Sequence, residues 1–112
     1  MSRGAVHLWA AQRVTALFLG VAVAVHLVTI IIAVRGGLSA AEILGRTQGA
    51  TAWFLFYCAF ALAAGLHAAI GLRTIAAEWL GWRGRGFDLA WLGIGLLTGL
   101  FGVRAAWGLY VA

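Results

Sequence analysis

The chain has 112 residues, 64% of them hydrophobic and 10% charged, with a net charge of +5. That much apolar side chain exceeds what a water-soluble domain of this length can bury, which excludes a soluble fold. The basic residues are all arginine and flank apolar runs instead of forming a patch, which excludes a nucleic-acid partner.

In chain order, residues 1–12 form a short lead in which Val6, Leu8 and Trp9 alternate with small or polar neighbours. Residues 14–34 are the first run to reach the roughly 20 apolar residues that a bilayer-crossing helix needs, and His26 lies inside it. Ser39 followed by Glu42 reads as a capping box that opens a short interfacial helix. Residues 50–72 form the second run, with His67 near its end and Cys58 at mid-depth as a small buried side chain. One cysteine gives no internal disulfide and holds no iron–sulfur cluster by itself. A flexible basic turn follows over 81–86, and Asp88 is placed to cap a third run over 88–110. That run carries Gly95 and Gly99 at a spacing that lets another helix or a flat macrocycle approach, then Gly102 and the intramembrane Arg104. No proline interrupts any of the three. The expected fold is all-α and integral to the membrane: one anchor domain of three transmembrane helices over about 14–34, 50–72 and 88–110. Its connections are too short to hold a soluble catalytic domain.

Arg3, Arg13, Arg73, Arg83 and Arg85 fall on one side of this arrangement, Arg35 and Arg46 on the other. The positive-inside bias then puts the N-terminus in the cytoplasm and the C-terminus outside. Aromatic belts agree, with Trp9, Trp79, Trp82 and Trp91 at the inner interface and Trp53, Trp107 and Tyr110 at the outer one.

An imidazole in hydrocarbon is costly and needs a partner, and haem iron suits a neutral imidazole on a membrane helix. A single such histidine is ordinarily explained by a hydrogen bond to a neighbouring helix. Two of them beside small residues (Gly65, Ala68 and Ala69 near His67; Ala22 and Ala24 near His26) favour haem, whose ring lies close to the backbone. His7 lies outside the apolar run and reads as a solvated interfacial residue. With antiparallel helices, the expected spans place His26 about 18 Å and His67 about 8 Å from the inner boundary. The two are then roughly 10 Å apart in depth, and each serves a different iron with a second ligand from another chain. Arg13 and Arg73 end the first two helices on the inner side, where a forked guanidinium suits a haem propionate or a quinone head group. Arg104 either serves an outer propionate or snorkels to the surface.

His67, Gly71, Leu72 and Arg73, followed by Glu78, resemble the His-x-x-x-Gly-(Ile/Leu)-Arg signature of cytochrome b membrane anchor subunits in the succinate dehydrogenase/fumarate reductase (complex II) family. The stretch from Trp9 through Arg13 to His26 is similar to the matching first helix of dihaem fumarate reductase anchors. The resemblance covers roughly residues 8–82. It implies a haem b anchor in the inner (cytoplasmic) membrane that passes electrons between an iron–sulfur subunit and quinone. Its partners are a flavoprotein subunit, that iron–sulfur subunit, a second membrane anchor subunit and the lipid bilayer. The cofactors implied are quinone and one or two b haems shared with the partner anchor. It further implies His26 as the axial ligand of the outer haem and His67 of the inner one, with Arg13, Arg73 and Gly71 also at the cofactors and Arg13 and Trp9 at the quinone. The chain has no catalytic residue of its own. Three positions depart from the pattern. Trp9 and Gln12 replace a serine and a histidine found near Arg13 in some single-haem relatives. Gly65 replaces an acid of some dihaem menaquinol enzymes, and Thr74 a second histidine. The rival readings are a haem b subunit of another quinone-linked dehydrogenase, a non-redox structural subunit of a larger membrane complex, and a small transporter subunit.

Overall fold

The computed structural model describes residues 2–112. Four helices follow one another: α1 (Arg3–Gly36), α2 (Ala40–Thr47), α3 (Thr51–Leu80) and α4 (Arg85–Val111). Three of them, α1, α3 and α4, are long and apolar enough to cross a membrane. The bundle measures 49 × 24 × 22 Å, and its long axis matches a bilayer with its headgroups, about 40–45 Å.

Each long helix runs past the apolar stretch that marks it. α1 begins at Arg3, capped by the Ser2 hydroxyl, which accepts from the Ala5 amide at 3.2 Å. The lead over residues 1–12 is thus the first turns of the membrane helix where it is described. Ser39 caps α2 as its spacing predicts, accepting from the Glu42 amide at 3.2 Å. Replacing it, Ser39→Ala, is expected to cost about 1 kcal/mol of local stability. The readout is faster amide exchange over Ala40–Thr47. Asp88 does not cap α4. The helix starts three residues earlier, after Gly84, and the Asp88 carboxylate pairs with Arg73 instead. α3 stops at Gly81, whose left-handed φ of 68° lets the chain turn back so that the Trp82 amide donates to the Ala76 carbonyl.

α3 packs against both α1 and α4. The contact with α4 is closest where glycines face each other: a Cβ added to Gly65 would strike the Gly95 backbone, and one added to Gly95 would strike Gly65 and Ala69. Gly99 meets Leu62, and Gly102 meets Ala61. The glycine stripe of the third run therefore receives another helix of the same chain. Gly65 and Ala69, read from sequence as room for a macrocycle beside His67, are buried against α4.

α1 presents a different surface. From Gln12 onward its less exposed residues are Gln12, Thr15, Leu19, Ala22, His26, Thr29 and Ala33, at alternating spacings of three and four. That is the seam of a shallow left-handed crossing, and four of its seven members are polar. The outward face is Val14, Leu17, Val21, Val28 and similar side chains, with Leu17 78% exposed. Lipid, as apolar as these side chains, solvates them, so helices here associate by close packing and polar contacts. Cys58 is only half-buried. At the end of the bundle away from Arg73 and Asp88, α2 folds over α4, where the Gly49 amide donates to the Tyr110 carbonyl at 2.8 Å and Thr51 and Tyr110 hydroxyls meet at 3.3 Å.

Candidate functional site

His67 lies on α3, half-buried, with its Nδ1 3.0 Å from the Thr15 hydroxyl of α1. It lines a cleft of about 700 Å³ between the first turns of α1 and the second half of α3. Leu8, Trp9, Gln12, Arg13 and Ala16 form one wall, His67, Ile70, Arg73 and Thr74 the other, and Ser2, Gly4 and Ala5 close the end. Four of the six residues expected to meet a cofactor thus converge: His67, Arg13, Arg73 and Trp9. The Arg13 guanidinium stacks over the Trp9 ring at 5.4 Å, which leaves its N–H edges free to bind an anion or a carbonyl.

The Arg73 side chain reaches the cleft already paired. Its Nε donates to Asp88 Oδ1 at 2.7 Å and its Nη2 to Oδ2 at 3.3 Å, joining α3 to the first turn of α4. Both side chains are partly exposed, so the pair stabilises the fold only slightly. Its main effect is to fix the guanidinium. Gly71 does not line the cleft; its bare Cα lies under the Gln12 amide, which a Cβ would meet at 3.2 Å. Gln12 Oε1 is buried without a hydrogen-bond partner, an acceptor at the cleft wall that has no donor from this chain. Trp91 also has a buried indole N–H without a partner among the described residues and packs edge-on to Phe87 at 5.6 Å.

His26 occupies a separate place. It faces α3, with Nδ1 3.4 Å from the Tyr57 hydroxyl and its ring edge-on to Tyr57 and Phe60, each at 5.7 Å. His67 is therefore level with Thr15, and His26 level with Tyr57. Ten residues of α3 separate Tyr57 from His67, or about 15 Å along the helix. The separation in depth is larger than the sequence spans indicate, because both helices overrun the apolar runs used as rulers. Two imidazole nitrogens bound to one metal at about 2 Å each lie at most about 4 Å apart, so the two histidines cannot meet on one metal. His7 is exposed, as expected of an interfacial residue.

The donor set fits a haem better than a bare ion. Among the described residues no three His, Cys, Asp or Glu side chains converge on one point. A haem brings four nitrogens of its own and asks the protein for axial imidazole and for cations at its carboxylates. The cleft offers one imidazole, two guanidiniums and the small Ala16, Gly4 and Ala5.

Sequence reading missed Thr15 and Tyr57, and it gave Gln12 and Asp88 other roles, as a replaced position and a helix cap. Thr15 and Gln12 were legible in principle as members of the polar seam on α1. No curated protein and no solved structure matches the chain. The family model of the succinate dehydrogenase/fumarate reductase transmembrane subunit, in contrast, matches residues 2–102, nearly the whole length. The chain therefore belongs to the family of succinate dehydrogenase/fumarate reductase transmembrane subunits, as a multi-pass membrane protein.

Proposed function

We propose that the chain is a haem b-binding anchor of a succinate:quinone oxidoreductase or fumarate reductase in the cytoplasmic membrane, with its N-terminus inside. The observation that carries this reading is the single cleft in which His67, Arg13, Arg73 and Trp9 meet. His67 would provide an imidazole to one haem, and His26, about 15 Å away along α3, would provide one to another. A second anchor subunit completes both iron sites. Arg13 and Arg73 hold propionates or orient a quinone head group, and Trp9 forms the apolar wall on which the quinone ring rests. The haem supplies one-electron storage between an iron–sulfur donor and the quinone. The residues of this chain bind, orient and keep lipid and water out. The basic turn with Arg83 and Arg85, at the same end as the cleft, offers a docking surface to the flavoprotein and iron–sulfur subunits.

The test is a dithionite-reduced minus oxidised spectrum with pyridine haemochrome quantitation, on the intact complex recovered through this chain. Two b haems per complex are expected. One haem would assign His26, caged by Tyr57 and Phe60, to packing. None would leave a structural anchor without redox chemistry.

A further inference from the structure

We propose that Thr15 is a positioning residue that sets the tautomer and ring orientation of His67 for metal binding; this rests on the haem reading above. Thr15 is the most buried polar side chain of the chain as described, at 9% exposure, and its hydroxyl has one proton. That proton goes to the Ala11 carbonyl, one turn back on α1, at 2.7 Å, with the Gln12 carbonyl at 3.2 Å as a second, weaker acceptor. Toward His67 Nδ1, at 3.0 Å, only the oxygen lone pairs remain. The contact is a hydrogen bond only if Nδ1 carries the hydrogen and donates.

The consequence falls on the other ring nitrogen. A neutral imidazole with its proton on Nδ1 has a lone pair on Nε2, the form that a metal requires. Nε2 has no hydrogen-bond partner among the described residues and is not sealed from the surface, and His67 lines the cleft. α1 thus holds the ring from behind and presents its basic nitrogen to the cleft. His26 lacks this arrangement, because the Tyr57 hydroxyl can either donate to Nδ1 or accept from it.

Two variants and two readouts test this. Thr15→Val keeps the side-chain shape and removes the acceptor, whereas Thr15→Ser keeps the hydroxyl. In the intact complex, transfer of haem to excess apomyoglobin is expected to show about ten-fold weaker retention in Thr15→Val and retention close to wild type in Thr15→Ser. In the full-length chain in lipid nanodiscs, with 15N-labelled histidine and no haem, His67 is expected to hold its proton on Nδ1 in wild type and Thr15→Ser. The Nε2–H form is expected to rise in Thr15→Val. Equal haem retention in Thr15→Val and wild type, or an Nε2–H tautomer in the wild-type chain, overturns the proposal. Should Thr15→Val fail to assemble, the wild-type tautomer still decides. A wild-type complex without haem overturns the haem reading and leaves the NMR result to decide the role of Thr15.

Discussion

If His67 and His26 each hold a haem, as proposed above, the complex carrying His67→Ala is expected to lose one haem and keep the other, so that its haem content falls by half. Three features of the structure lead to that result. His67 is the only histidine at the cleft, so no imidazole of this chain can replace it. His26 is held about 15 Å away along α3, too far for its surroundings to feel the change. The fold should also tolerate the substitution, since Thr15 keeps its proton on the Ala11 carbonyl after the imidazole is gone, and no buried donor is stranded. Haem loss and folding are therefore separable. Pyridine haemochrome quantitation reads the first, and recovery of the intact complex by size-exclusion chromatography reads the second. The mirror variant, His26→Ala, is expected to remove the other haem only. Full haem content in His67→Ala would take His67 out of the ligand set.

The second large effect is on stability. Gly95→Val is expected to destabilise the α3–α4 pair by about 3 kcal/mol, near the upper end for overpacking. Such a loss changes the folded-to-unfolded ratio by a factor on the order of 100. The reason is what a new side chain meets: the Gly65 backbone and the Ala69 methyl, neither of which can rotate away. Relief requires the two helices to move apart, and separation sacrifices the close packing that holds membrane helices together in the absence of a hydrophobic force between them. Gly93→Val, two residues earlier, is the control. Its Cβ meets nothing within 4 Å, and the position is exposed to lipid. Reversible unfolding in mixed micelles should show a large shift for Gly95→Val and little for Gly93→Val. Similar shifts for both would mean that the glycine contact is not what joins the helices.

Much of this protein was already legible in its order of residues. Three apolar runs of bilayer length require three crossings, since an unpaired backbone in lipid is too costly for any other solution. Ser39 and Glu42, three apart, announce α2, because capping is a local interaction. The separate depths of His26 and His67 also follow from chain length alone, as rise per residue is constant in a helix. Tertiary structure decided which way each helix faces. Lipid and the bundle interior are equally apolar, so a membrane helix can be hydrophobic all round and its pattern does not mark the inner side. Hence Gly65 and Ala69, beside His67 in sequence, turn out to serve α4, and Thr15, fifty-two residues from His67, turns out to hold it. Helix ends were set locally, by the Ser2 hydroxyl and by the backbone conformations of Gly81 and Gly84, independent of where the hydrocarbon stops. The early start of α4 carries Asp88 past the cap and into reach of Arg73. Spacing along one helix is a property of the chain, but contact across two helices depends on their rotation and register, which only packing determines.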